Sequence, residues 1–110
     1  MTLSLVVVRC NNILKTRIFY EALGFTFVEE QHGRGPVHFA SCDHGVVFEL
    51  YPAKTTPIQD DTRLGFTIEN LDTIIHTLPV VNTYLWDHKM HYILVDPDGR
   101  KIEISNTLPR

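Results

Sequence analysis

Residues 44–50, His-Gly-Val-Val-Phe-Glu-Leu, and residues 98–104, Asp-Gly-Arg-Lys-Ile-Glu-Ile, are two versions of one strand entered through a turn, 54 positions apart. In each, a glycine available for positive φ precedes a run of alternating faces. Phe48 and Leu50, or Ile102 and Ile104, share one face, and a glutamate, Glu49 or Glu103, takes the other. Further upstream, Asn12-Ile13 corresponds to Asn70-Leu71 at an offset of 58. The offsets differ because the second copy is trimmed between its helix and its last hairpin, where a loop tolerates shortening and a strand does not. Neither copy can bury its sheet alone, so the repeat predicts two modules sharing one fold.

Each module spells out the same order of elements. Leu3 to Arg9 is rich in β-branched residues and reads as a buried strand. Asn11 or Asn12 then caps a helix in which Leu14, Ile18, Phe19, Ala22 and Leu23 recur at helical spacing, and Gly24 supplies its C-cap. Phe25 to Glu30 alternates as a half-buried strand, Gln31 to Pro36 forms a turn or mobile loop, and Val37–Ser41 and Val46–Tyr51 are two more strands. The order is βαβββ, complete near residue 52. Residues 52–62, with two prolines, three threonines and two aspartates, have no apolar periodicity, and 53–62 reads as a linker. The second module, 63–110, repeats the order: a strand from Arg63 to Ile68, a short helix capped by Asn70 and ended by Pro79, and strands at Val80–Trp86, His91–Val95 and Lys101–Ser105. Asp96-Pro97-Asp98-Gly99 is the turn into the last strand. The expected fold is α+β, two βαβββ modules forming a curved eight-stranded mixed sheet around a cleft, with helices outside.

The chain of 110 residues is 44% apolar and carries six Phe, four Tyr and one Trp, enough for one domain-sized core. Ten Lys and Arg against thirteen Asp and Glu leave a net charge of −3 with no basic patch, which argues against nucleic-acid binding. The N-terminal run lacks a basic flank and a cleavage site, and no segment reaches membrane-spanning length. The expectation is a cytoplasmic protein without a membrane partner. Cys10 and Cys42 are too few for a disulfide framework and lack CxxC spacing. There is no nucleophile elbow, phosphate-cradling glycine loop or dinucleotide fingerprint, so acyl, phosphoryl and hydride transfer have no motif behind them.

Phe19-Tyr20-Glu21-Ala22-Leu23-Gly24-Phe25, Phe48-Glu49-Leu50, and Asp96-Pro97-Asp98-Gly99 with Ile102-Glu103, taken together and in order, resemble the glyoxalase/bleomycin-resistance/dioxygenase (vicinal oxygen chelate) superfamily over essentially the whole chain. The resemblance implies a ligand site in a concave cleft, a homodimer, and, in enzyme members, a divalent metal held by one residue from each of four strands. Carried over one at a time, those places fall on Leu5, Glu49, Arg63 and Glu103. Two carboxylates match. Neither an aliphatic side chain nor a guanidinium can give a lone pair to a metal, so the tetrad is broken and no metal or other cofactor is expected there, although a divalent metal elsewhere is left open.

Two carboxylates on facing strands call for a positive neighbour. Arg63 is expected to pair with Glu49 or Glu103 or to hold an anionic ligand; the plainer reading has it starting its strand at the solvent edge. His38 is a candidate cleft donor or general base, or simply a satisfied strand histidine. His32, His44, His76 and His88 read as solvated, and His88 with His91 lacks a third zinc ligand. Tyr51, Tyr84, Trp86 and Tyr92 either wall a pocket or pack. Two functions follow: a metal-free protein that binds an unknown small molecule through Glu49, Glu103, Arg63, His38, Tyr51, Trp86 and Tyr92, or a lyase, isomerase or dioxygenase-like enzyme with Glu49 or Glu103 as catalytic base, with or without a divalent metal.

Overall fold

The computed structural model describes residues 1–106; the last four residues of the second module, 107–110, lie outside the described residues. The chain divides between Ile58 and Gln59, inside the expected linker, into two compact units. The first holds β1 (Leu5–Cys10), α1 (Ile13–Ala22), β2 (Val28–Glu30), β3 (His38–Asp43) and β4 (Val46–Pro52). The second holds β5 (Arg63–Thr67), α2 (Leu71–Ile74) prolonged by a 3₁₀ turn at Ile75–Thr77, β6 (Asn82–Trp86), β7 (Lys89–Val95) and β8 (Lys101–Ser105). The eight strands form two four-stranded mixed sheets of the same order, β1-β4-β3-β2 and β5-β8-β7-β6. In each, the first strand of the module runs parallel to the last and the remaining pairs are antiparallel.

Turn chemistry sets the hairpins. His44 and Gly45 both have positive φ, 51° and 79°, and so do Asp87 and His88, at 48° and 60°. Two central residues of positive φ give the twist that suits a two-residue hairpin. Asp and His tolerate this region better than branched residues do, so the second hairpin closes without glycine.

Two expectations about the helices are corrected. Asn12 caps α1 as anticipated, its Oδ1 accepting from the backbone N–H groups of Leu14 and Lys15 at 3.0 and 3.1 Å, a contribution of about 1 kcal/mol. Asn70 makes no such bond. Its φ of −98° and ψ of 31° leave the extended geometry from which a cap side chain reaches the first turn, and Thr73 instead donates its hydroxyl to the Asn70 carbonyl at 2.7 Å. The second correction is the phase of α1. Leu14 and Ile18 face solvent, and the buried face runs through Thr16, Tyr20 and Leu23. Those positions keep the helical spacing of three and four, but Thr and Tyr carry polar atoms and do not stand out in a count of aliphatic residues.

The core of the first unit is built on the face of β3 and β4 that carries Phe39, Phe48 and Leu50, with Val8, Tyr20, Leu23 and Phe27 buried alongside. Tyr20 meets Phe48 edge to face at 5.0 Å and Phe25 at 5.7 Å, the geometry that aromatic quadrupoles favour. In the second unit Leu71, Leu78, Leu94, Ile102 and Ile104 are buried. The linker is tied down at both ends. Asn11 pairs with Ile58 like a strand neighbour, donating Nδ2 to its carbonyl at 2.8 Å and accepting its N–H at 2.6 Å. Asp60 bonds to Arg100 at 2.8 Å, and its N–H donates to the Asp98 carbonyl.

Candidate functional site

In both sheets the helix side takes the alternate apolar residues, so the pleat turns Glu49 and Glu103 to the helix-free face. Both are largely shielded there, with side chains 15% and 13% exposed. The register places Val7 and Ala40 beside Glu49, and Gly65 and Ile93 beside Glu103.

In the first module Glu49 stands next to a fully buried His38, whose Nε2 lies 3.7 Å from Glu49 Oε2, 3.3 Å from Glu30 Oε1 and 3.2 Å from the Tyr51 hydroxyl. The other ring nitrogen, Nδ1, is 3.1 Å from the Pro36 carbonyl, which can only accept. Nδ1 therefore carries a proton, and in the neutral ring the lone pair is at Nε2. The Tyr51 ring lies flat on the imidazole, with centroids 4.1 Å apart and planes within 10°, and the Arg9 guanidinium sits over Tyr51. The structure thus brings His38, Glu49 and Tyr51 together.

In the second module Arg63 donates Nη2 to Glu103 Oε1 at 2.5 Å. This is one of the two pairings expected for Arg63. A Tyr84 hydrogen bond also reaches Glu103, and His91 Nδ1 stands 3.6 Å from Glu103 Oε2. Burial by itself would push the Glu103 carboxyl up, but the bonds from Tyr84 and Arg63 and the charges of Arg63 and His91 outweigh it and hold the group below the ordinary carboxylate range. A folded carboxyl more acidic than the unfolded one adds stability above the ordinary carboxylate pKa, and this stability is lost as pH falls through the folded value. Tyr84→Phe is therefore expected to move the Glu103 midpoint upward in a carboxyl-carbon NMR titration and to cost about 1–2 kcal/mol at neutral pH. An unmoved midpoint would show that the tyrosine does not stabilise the carboxylate.

The sequence offers His91 only as a zinc partner of His88 without a third ligand, not as a neighbour of Glu103. His91 is fully buried, it stacks on Tyr84 at 4.8 Å with planes within 9°, and among the described residues neither ring nitrogen has a hydrogen-bond partner. The signal was present, since His38 and His91 are 53 positions apart, one residue from the offset that relates the glutamates. The registers make them equivalent. Ala40 pairs with Glu49 and Ile93 with Glu103, and each histidine lies two residues before that partner. Each is also paired across the sheet with an outer-strand residue, Glu30 or Tyr84.

The remaining expected residues lie apart from these groups. Trp86 is at the end of β6, paired with Lys89 and half exposed. Tyr92 pairs with Ile104 and so belongs to the opposite face from Glu103. Leu5 pairs with Val47 and is exposed hydrocarbon, and the Arg63 N–H groups point their charge at Glu103. The four positions Leu5, Glu49, Arg63 and Glu103 therefore do not fit a metal tetrad: one offers no lone pair and another is a cation bonded to a would-be ligand. A different group, Glu30, His32 and His38, gathers one donor atom from each residue within 4.8 Å of the others. Among the described residues no helix is long and apolar enough to cross a membrane.

No protein-family pattern matches the sequence, and no curated protein matches it. Solved structures do. The chain superposes on the oxidase ChaP-H2 with a TM-score of 0.74 at 16% identity, covering 98% of this chain and 94% of that one. For a glyoxalase family protein from Enterococcus faecalis the TM-score is 0.72 at 20% identity, covering 94% and 96%. For a lactoylglutathione lyase from Agrobacterium tumefaciens it is 0.68 at 14% identity, covering 94% and 91%. These neighbours are glyoxalase-like, oxidase and lyase proteins, and the repeated βαβββ modules agree with their fold. The chain has the fold of the glyoxalase/bleomycin-resistance (vicinal oxygen chelate) superfamily.

Proposed function

We propose that this protein binds a small organic molecule on the helix-free face of a sheet, with no metal at Leu5, Glu49, Arg63 and Glu103. The observation that carries this reading is the Arg63–Glu103 bond: a fixed cation already balances the carboxylate that a metal would otherwise need. The Arg63 side chain is 54% exposed, and the N–H groups not given to Glu103 can receive a carboxylate or carbonyl of the ligand. Glu49 and the Tyr51 hydroxyl, both beside the buried His38, offer acceptors and a donor to a polar partner, while the Tyr51 ring itself is engaged by His38 and Arg9. Tyr92 plays no part in this reading, because it faces the other way.

The enzymatic alternative, a lyase, isomerase or dioxygenase-like protein using a glutamate as general base, favours Glu49. Glu103 is held more acidic than an ordinary carboxylate, which weakens it as a proton acceptor, whereas no arginine among the described residues is bonded to Glu49. A thermal-shift screen of small carboxylates and aromatic acids tests the binding reading. Stabilising compounds should lose their effect in Arg63→Met and Glu103→Gln, and a hit indifferent to both substitutions would refute it. His91 supplies a second test. Among the described residues neither nitrogen of this buried ring is hydrogen-bonded, a desolvation penalty that the approach of Nδ1 to Glu103 at 3.6 Å offsets only in part, so His91→Leu is expected to raise stability by about 1 kcal/mol in urea titration while weakening ligand binding. Destabilisation of similar size would show that the ring is a structural element of the sheet.

A further inference from the structure

The turn between β2 and β3 does more than reverse the chain. Gln31 donates Nε2 to the Gly35 carbonyl at 2.9 Å, Gly35 donates its N–H to the His32 carbonyl at 2.9 Å, and Gly33 supplies a φ of +58°. This local bonding folds His32 back toward the cross-strand pair of Glu30 and His38. His32 Nε2 comes to 3.8 Å from Glu30 Oε1, and His38 Nε2 to 3.3 Å from the same oxygen.

We propose that Glu30, His32 and His38 form a binding site for a divalent zinc-type ion in the first module. Donors bonded to a tetrahedral zinc at about 2.0–2.1 Å lie roughly 3.3–3.4 Å from one another. His38 Nε2 and His32 Nε2 stand 3.3 and 3.8 Å from Glu30 Oε1, and all three donors lie within 4.8 Å of one another without an ion. His38 is arranged as metal-bound histidines are: its Nδ1 is held by a backbone carbonyl, which fixes the tautomer and turns the Nε2 lone pair toward Glu30. Two imidazoles and a carboxylate suit zinc, cobalt or nickel better than calcium or magnesium, which prefer oxygen alone. The His32 side chain is 73% exposed, which gives the ion an entry path, while His38 is fully buried. Three protein ligands leave a fourth position for water or a ligand, with Glu49 next to His38 on the same sheet face. All these atoms belong to one module and none of the three ligands is one of the four positions discussed above. The site therefore stands whether or not the small-molecule reading holds.

The test uses the full tag-free chain, stripped with a chelator, titrated with zinc by calorimetry and with cobalt by visible absorption. One ion per chain at micromolar affinity or tighter, with cobalt bands of tetrahedral intensity, is expected. His32→Ala and Glu30→Gln should weaken binding about 100-fold or more, with unchanged circular dichroism, since both side chains reach solvent. His88→Ala, on the second-module hairpin, should bind like the parent. Absence of saturable binding at millimolar ion, binding that survives His32→Ala, or binding lost in His88→Ala would overturn the site.

Discussion

Arg100→Met is expected to lower the free energy of unfolding by about 3–5 kcal/mol, because it strands buried carboxylates without their cation. Arg100 is fully buried and donates Nη1 to Asp96 at 3.0 Å and to Asp98 at 3.1 Å, and Nε to Asp60 at 2.8 Å. Burial opposes its charge, but the bonds and charges of Asp96 and Asp60 more than compensate and raise its proton affinity well above the ordinary arginine value. Asp96 also accepts the backbone N–H groups of Asp98 and Arg100, so the turn into β8 and the ion cluster are one structure. Asp60 adds the linker to it. Bonds from the Thr62 side chain and backbone and then from Arg100, set against burial, hold its carboxyl below the ordinary range, so its contribution is present above that range and lost as pH falls through the folded value. Arg100→Lys keeps the charge but not the fork, and should fall between parent and Met variant. Urea denaturation reads all three proteins, and a Met variant within about 1 kcal/mol of the parent would mean that the cluster adds little.

Arg100 also marks where sequence reasoning stops. Asp96-Pro97-Asp98-Gly99 is legible as a turn because its signal is local: proline and glycine restrict their own φ. That Arg100 then folds under the turn to meet Asp60, 40 residues away, depends on tertiary packing. The same division runs through the site. Glu49 and Glu103 were legible on the helix-free faces because alternation in a strand is a two-residue rule, and Arg63 was a candidate partner for either because two carboxylates call for a positive neighbour. The grouping of Glu30 with His32 and His38 was not legible. It needs the register Glu30↔His38 and a turn whose bonds run from Gln31 to Gly35, and His32 by itself looks like any exposed histidine. His91 was hidden differently: the 54-residue offset misses His38 by one position, because the loops joining the last two strands of each module differ in length. Aligning by cross-strand partner removes the discrepancy.

Helix α1 offers the sharpest contrast between what apolar periodicity suggests and what packing uses. Tyr20→Ala is expected to cost about 3–5 kcal/mol, the usual range for deleting a buried aromatic side chain. Tyr20 is fully buried and in edge-to-face contact with Phe19, Phe25 and Phe48. Phe48 is the residue before Glu49, so the cavity left by the ring opens directly behind the strand that carries the candidate site. Ile18→Ala, by contrast, removes an exposed side chain and should change stability by less than about 0.5 kcal/mol. Tyr20→Phe keeps the ring, and most of the loss should be recovered if packing is what the residue supplies. Denaturant midpoints and slopes of the three variants decide the matter. A larger loss in Ile18→Ala than in Tyr20→Ala would mean that the helix presents its aliphatic stripe to the sheet, and the face carrying Thr16 and Tyr20 would then be the outer one.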